Sequence, residues 1–90
     1  MARVSEADVA KAVEKYLSGQ PGRTATIYQI KKALPSYLNL SAADREQSDT
    51  RPNEELWEQQ VRNIVSHRNS RGNFIYEGRL VHSPRRRSLP

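Results

Sequence analysis

The stretch that decides the fold, residues 61–82, reads VRNIVSHRNSRGNFIYEGRLVH. In its first seven residues, apolar and polar side chains recur with the period of a helix. The polar side of that helix begins one turn earlier and consists of Gln59, Arg62, Asn63 and Ser66. Arg71-Gly72-Asn73 predicts a turn, and residues 74–82 then predict a small β element that contains Gly78 and Arg79. The stretch therefore predicts an exposed polar helix followed directly by a cationic β element.

Length and composition limit what the chain can be. Ninety residues predict one small domain, and so short a chain needs a compact helical or α+β core. The absence of cysteine excludes disulfides and thiolate metal sites. His67 and His82 have no acidic or cysteine neighbours in the sequence, which favours structural or solvated roles over metal binding. No metal and no cofactor are expected.

Neither a membrane location nor catalysis is indicated by the sequence. No apolar run approaches the roughly 20 residues of a membrane span, and the start Met-Ala-Arg-Val does not resemble a signal peptide, so a cytoplasmic protein is expected. Asp44, Glu46 and Asp49 form a carboxylate cluster. Because no nuclease-like spacing, glycine-rich phosphate loop or nucleophile–base pair accompanies it, no catalytic residues are predicted.

Charge is distributed unevenly along the chain. The net charge is +3 in residues 1–40, −4 in residues 41–60 and +6 in residues 61–90. The last of these ranges contains seven arginines and one glutamate. A cationic final third predicts a polyanionic partner, and arginine rather than lysine favours bidentate contacts with phosphate or guanine. The alternative is a solvated surface followed by a flexible basic tail.

Three helices and a short strand precede the β element. Ser5 and Asp8 predict the capped start of a first helix, whose apolar stripe consists of Val9, Ala12, Val13, Tyr16 and Leu17. Residues 24–26 predict a strand, and Thr26 then caps a second helix over residues 27–34 that Pro35 ends. A third helix is predicted from Asn53 to about Asn69, with Trp57 as its core anchor. Between them, Ser41 and Asp44 predict a capped turn.

Two hairpins are compatible with the C-terminal sequence. In the first, residues 74–76 pair with Leu80 and Val81 across Glu77-Gly78. In the second, residues 79–82 pair with residues 86–89 across Ser83-Pro84. The domain is therefore expected to span residues 1–82, with residues 83–90 as a basic tail, the start of a linker, or part of the hairpin.

The order of helix, strand, helix, helix and hairpin predicts a small α+β winged helix-turn-helix, with three main helices and a C-terminal wing. More narrowly, Leu40-Ser41-x-x-Asp44-Arg45-Glu46, followed by Trp57 and Val61-Arg62-Asn63, resembles winged-helix modules attached to bacterial restriction endonucleases, above all the N-terminal domain of Mrr-type enzymes. Asn73-Phe74-Ile75…Gly78-x-Leu80 is similar to the wing of modules attached to HNH nucleases. The resemblance covers residues 25–82, although the tryptophan stands before the Val-Arg pair here and follows an arginine in the Mrr-type pattern.

The resemblance implies a DNA-binding module of a restriction-modification system. Such a module binds duplex DNA without catalysis, reads a modified base such as methyladenine, and targets a fused or associated nuclease. It is expected to be a monomer or a weak dimer.

In a winged helix, the third helix enters the major groove and the wing contacts the flanking backbone. Base contacts are therefore expected from Gln59, Arg62, Asn63 and Ser66, since guanidinium and amide groups pair bidentately with guanine and adenine. Backbone contacts are expected from Lys31, Lys32, Arg68, Arg71, Arg79, Arg85, Arg86 and Arg87.

Several features favour other interpretations. Arg62 stands four residues after Glu58, a spacing that suits a surface ion pair on the helix. Glu54, Glu55 and Glu58 would repel phosphate at the start of the third helix, so contacts are expected from its middle and end. The rival function is a winged-helix protein-interaction domain that uses Tyr28, Tyr37 and the acidic segment 44–58.

Overall fold

The computed structural model describes residues 3–49 and 51–90, which fold into three α-helices and a three-stranded antiparallel sheet. The elements are α1 (Glu6–Ser18), β1 (Thr24–Thr26), α2 (Ile27–Ala33), α3 (Leu56–Ser66), β2 (Val81–Ser83) and β3 (Arg86–Ser88), with short 3₁₀ turns at Pro21–Arg23 and Leu34–Ser36. The sheet order is β1-β3-β2. The predicted α+β class, with three helices and a C-terminal hairpin, is confirmed.

The first two helices begin where their capping residues predict. The Ser5 hydroxyl accepts from the Asp8 amide at 3.0 Å, and the Asp8 carboxylate accepts from the Ser5 amide at 3.0 Å. Thr26 and Gln29 make the same reciprocal pair at the start of α2. Both boxes satisfy amides that have no partner within the helix, so these boundaries depend on residues three apart in sequence.

The third helix begins at Leu56, and the predicted start at Asn53 is wrong. The residues before it are held in a loop: the Ser48 amide donates to the Glu54 carbonyl at 2.7 Å, and Gln47 forms a β-bridge with Glu55. These bonds keep residues 53–55 out of helical geometry. The predicted end near Asn69 is also wrong, because regular helix stops at Ser66 and turns follow.

The loop before α3 is organised around Asp44, which is 1% exposed. The predicted turn is confirmed, since the Asp44 carboxylate accepts from the Ser41 amide and hydroxyl and from the Val4 amide at 2.9–3.0 Å. Burial opposes ionisation, but these bonds hold the pKa of Asp44 below its ordinary value. The Asp44 and Glu46 carbonyls accept from the first amides of α3, those of Trp57 and Leu56, at 3.0 and 2.8 Å. A distant loop thus caps the helix.

The hairpin is nearer the second of the two predicted pairings, but the predicted turn at Ser83-Pro84 is wrong by one residue, and Arg79 and Leu80 lie outside the strands. Val81, His82 and Ser83 pair with Ser88, Arg87 and Arg86, and Pro84-Arg85 form the turn between them. Residues 83–88 therefore belong to the hairpin, and its second strand, β3, also pairs with β1.

The β structure predicted over residues 74–80 is wrong. The Asn73 side-chain oxygen accepts from the amides of Ile75 and Tyr76 at 2.8 and 3.1 Å, which bends the chain at once. The Phe74 carbonyl then accepts from the amides of Arg79 and Leu80. The segment is a compact turn that buries Phe74 and Leu80 in the core.

The core lies between α1, α2, α3 and the segments that follow α2 and α3. Its apolar members include Val9, Val13, Leu17, Ile30, Leu34, Trp57, Val61, Ile64, Phe74 and Leu80. Trp57 is 4% exposed, as predicted, and its indole nitrogen donates to the Glu55 carboxylate at 2.8 Å. Because α3 buries one side here, its opposite side is turned outward. No helix in the described part of the chain is long and apolar enough to cross a membrane.

Candidate nucleic-acid interface

The outward side of α3 carries the four residues predicted to contact bases. Ser66 is exposed, whereas Gln59, Arg62 and Asn63 are half-buried. The Ser48 hydroxyl donates to the Gln59 side-chain oxygen at 3.4 Å, and the Asn63 amide group donates to the Gln60 oxygen at 3.1 Å. The loop and the preceding helical turn therefore orient these amides, while the Ser66 hydroxyl donates to the Arg62 carbonyl at 3.3 Å.

A groove runs beside this stripe, between α2, α3, the turn at residues 51–54 and β3. Two adjoining cavities of about 640 and 300 Å³ share Lys31, Arg51, Glu54 and Arg62 in their walls. Gln59 lines the larger cavity, and Ser66 and Arg87 line the smaller one. The fold thus brings together five residues predicted separately, namely Lys31, Gln59, Arg62, Ser66 and Arg87.

Asn63 does not line this groove. It lies on the neighbouring side of α3, where a cleft of about 180 Å³ is bounded by Arg3, Val4 and Gln60, among others. The predicted base-contact set is therefore divided between two adjacent surfaces of one helix.

Two acidic residues neutralise much of the groove's positive charge. Arg62 Nη2 lies 2.8 Å from Glu54 Oε1, so the arginine pairs with Glu54 rather than with Glu58 as its spacing suggested. Lys31 Nζ lies 3.7 Å from Glu54 Oε2 and 3.8 Å from Glu58 Oε2. The attraction of Lys31 and Arg62 for phosphate is consequently reduced in the free protein.

Arg87, predicted to lie in a flexible tail or a wing, is 8% exposed in the centre of the sheet. Its guanidinium donates to the carbonyls of Ser83 and Arg86 at 3.1 and 2.5 Å, and burial lowers its pKa. Because it is 8% exposed, Arg87 can present only a small part of its side chain to the groove.

Three exposed arginines lie on the hairpin and just after α3, and we call them the basic corner: Arg68, Arg85 and Arg86. Arg86 Nε donates to Thr24 Oγ1 at 3.4 Å, so its side chain lies on the face of the sheet opposite that of Arg87. Burial, followed by the charges of Arg87 and Arg68, lowers the pKa of His82, so Arg68 lies within electrostatic range of β2. The Arg85 carbonyl accepts from the first amide of α2, that of Ile27, at 2.9 Å and thereby ties the hairpin turn to α2.

The remaining predicted cations lie apart from the groove lining. Lys32 stands 5.3 Å from the centre of the Tyr28 ring, and Arg71 is exposed after α3. Arg79 donates twice to the Glu14 carboxylate, at 2.9 and 2.7 Å, and these bonds raise its pKa. Arg79 also borders a different cleft of about 540 Å³ together with Lys11, Lys15 and Arg23, so a second basic surface exists on α1.

Sequence reasoning missed two residues of the groove. Glu54 was expected at the start of the third helix, where it would repel phosphate, but it lies before the helix and binds two cations. Arg51, in a polar loop without periodicity, gave no signal that it would reach the groove wall. Comparison of the chain with protein-family models, with curated proteins and with solved structures returned no match.

Proposed function

We propose that the protein is a winged helix-turn-helix module that binds duplex DNA without catalysis. In this assignment, α2 and α3 are the helix-turn-helix pair, α3 is the reading helix, and the β2–β3 hairpin is the wing. The observation that carries the proposal is the common groove of α2, α3 and β3, together with the exposed arginines of the basic corner on the hairpin and after α3. A reading helix flanked by cations matches the requirements of a major groove and its phosphates.

The cations of this surface differ in whether they already form ion pairs. Lys31 and Arg62 are paired with carboxylates, whereas Arg68, Arg85 and Arg86 have no ion pair among the described residues. We therefore assign phosphate contacts to the basic corner. Base contacts are assigned to Gln59, Arg62 and Ser66, which line the two adjoining cavities of the groove.

The finer assignment depends on the resemblance to restriction-associated modules. Recognition of a modified base, such as methyladenine, and the targeting of a fused or associated nuclease follow from that resemblance alone. The partly exposed side chains of Ile27 and Val65 in the smaller cavity are a suitable apolar contact for a base methyl group.

Fluorescence anisotropy with a labelled mixed-sequence duplex, plain or adenine-methylated, tests the proposal. Three to five phosphate contacts predict a log–log salt slope of about −3 to −4.5, which weakens binding about 40- to 500-fold between 50 and 200 mM salt. Tighter binding of the methylated duplex would support modified-base recognition. Absence of binding to either duplex at the lower salt concentration would refute DNA binding.

A protein-interaction domain is the second candidate, and exposed aromatic side chains favour it. Tyr28 is 69% exposed and Tyr37 is 41% exposed, and the Tyr37 ring meets that of Tyr16 edge to face at 5.8 Å. Exposed tyrosines are frequent anchors of protein interfaces. Weak salt dependence of binding to a protein partner, without duplex binding, would favour this function.

A further inference from the structure

Glu54 lies beneath the groove, between the two helices that we assign to DNA recognition. We propose that Glu54 is a positioning residue, which holds Arg62 for base readout and restrains Lys31 and Arg62 from binding phosphate at unrelated sequences. This inference rests on the proposed DNA binding and adds to it a source of selectivity.

The contacts of Glu54 divide it between the two helices. One carboxylate oxygen accepts from Arg62 Nη2 on α3 at 2.8 Å, and the other faces Lys31 Nζ on α2 at 3.7 Å. The carboxylate side chain is 9% exposed. A carboxylate so enclosed contacts the groove through the cations that it holds, and not directly.

Both sides of the Glu54 backbone are fixed. Its amide donates to the Arg51 carbonyl at 3.2 Å, and its carbonyl accepts from the Ser48 amide at 2.7 Å. The same loop supplies the carbonyls that cap α3. The main chain that carries this carboxylate is therefore held in place in the loop before the reading helix.

Arg62 is held in one orientation by this arrangement. Its side chain is 33% exposed, while its Nε is enclosed and has no hydrogen-bond partner among the described residues. The donors open to a ligand are consequently on the terminal nitrogens. End-on approach of those nitrogens supplies the two parallel bonds that guanine O6 and N7 accept.

The pairing with Glu54 affects the net charge of Arg62 and its directional hydrogen bonds differently. The neighbouring carboxylate cancels much of the long-range attraction to phosphate, which is the part of binding that carries no sequence information. The directional donors remain, and they distinguish one base from another. Glu54 is thus expected to lower affinity for unrelated DNA more than affinity for the preferred site.

The substitution Glu54→Gln tests this role because it removes the charge and keeps the shape. Glu46→Gln is the matched control, since Glu46 is exposed and its replacement changes the net charge equally. A preferred duplex is first selected from a random pool with the unaltered protein. Affinities for that duplex and for a mixed-sequence duplex are then measured for each variant over a salt series.

We expect Glu54→Gln to bind the mixed duplex more tightly, by about eightfold at 0.1 M salt for each additional phosphate that it neutralises, with a slope steeper by about one to two. Its preference for the selected duplex should fall, whereas Glu46→Gln should retain the preference. Arg62→Lys, which keeps the charge and loses the planar fork, should retain mixed-duplex binding and lose the preference.

A DNA-independent measurement accompanies these titrations. Solvent exchange of the Arg62 Nε–H, followed by NMR, should be slow in the unaltered protein and faster in Glu54→Gln. Binding of the unaltered protein with an unchanged preference in Glu54→Gln would overturn this inference alone. Failure of the unaltered protein to bind any duplex would overturn the proposed function, and this inference with it.

Discussion

Two replacements of Arg85 should change the stability of the hairpin differently but weaken duplex binding equally. Arg85 follows Pro84 in the turn between β2 and β3 and has a φ of +62°. Proline followed by a residue of positive φ is the pattern of a type II turn, in which glycine or asparagine is usual at the second central position. An arginine there is strained, and such strain is found most often at functional sites.

The magnitude follows from comparing Arg85→Gly with Arg85→Ala. Both variants lose the same guanidinium, but only glycine relieves the left-handed conformation, which costs other residues about 1–2 kcal/mol. Glycine also makes the unfolded chain more flexible, which offsets roughly 0.4–1 kcal/mol of that gain in the free energy of unfolding. Arg85→Gly should therefore be more stable than Arg85→Ala by about 1 kcal/mol, or about 4–8 °C in Tm for a domain of this size.

The assays are thermal unfolding by circular dichroism and duplex binding by anisotropy. Both variants should lose the same affinity for a mixed-sequence duplex, about eightfold at 0.1 M salt if Arg85 neutralises one phosphate. Equal Tm values for the two variants would refute the strained turn. Unchanged affinity in both would refute the assignment of Arg85 to the phosphate backbone.

Three further predictions concern the rest of the molecule. The folded pKa of Asp44 is depressed, so the stability that its carboxylate contributes is present above the unfolded pKa of about 3.9 and is lost as pH falls through the folded pKa. Asp44→Asn should therefore lower the free energy of unfolding at neutral pH by about 1–3 kcal/mol in urea melts. The same variant should lose less stability on acidification than the unaltered protein. Arg79→Ala should lower Tm because the ion pair of Arg79 with Glu14 is removed. Its affinity for duplex DNA should stay within about twofold, since the charge of Arg79 is already paired. A steep loss of affinity would instead place the DNA on the α1 surface. Gly78→Ala, at a φ of +77°, should destabilise the turn after α3 by about 1 kcal/mol in denaturant melts, and unchanged stability would contradict the positive φ.

The parts of the fold that the sequence predicts well depend on short-range contacts. Ser5 with Asp8, Thr26 with Gln29, and Ser41 with Asp44 each lie three residues apart, so their types and spacing suffice to place the caps. The burial of Trp57 follows equally from helical periodicity.

The errors arise where distant residues decide the local structure. The start of α3 depends on bonds from residues 44–48, which compete with helical geometry at residues 53–55. The hairpin register depends on β1, because Ala25 pairs opposite Arg87 and fixes β3 in the centre of the sheet. Local sequence carries neither constraint.

The candidate site was predictable by residue type but not by arrangement. Periodicity places Gln59, Arg62 and Ser66 on one helix face, and they do line one groove. The partners of those side chains come from other elements, as Glu54 does for both Arg62 and Lys31. Ion pairs between residues of different elements decide which cations remain available to bind phosphate. The distribution of charge along the chain does not predict these pairs.

Titration of the ¹⁵N-labelled protein with a mixed-sequence duplex at low salt tests the central claim most directly, because amide shifts locate the contact surface. Binding through α3 and the hairpin predicts that the largest shifts lie in residues 59–68 and 82–87, with residues 11–18 of α1 unaffected. Shifts centred on Lys11, Lys15 and Arg23, or on Tyr28 and Tyr37, or no shifts at all, would contradict recognition of DNA by the groove and the basic corner.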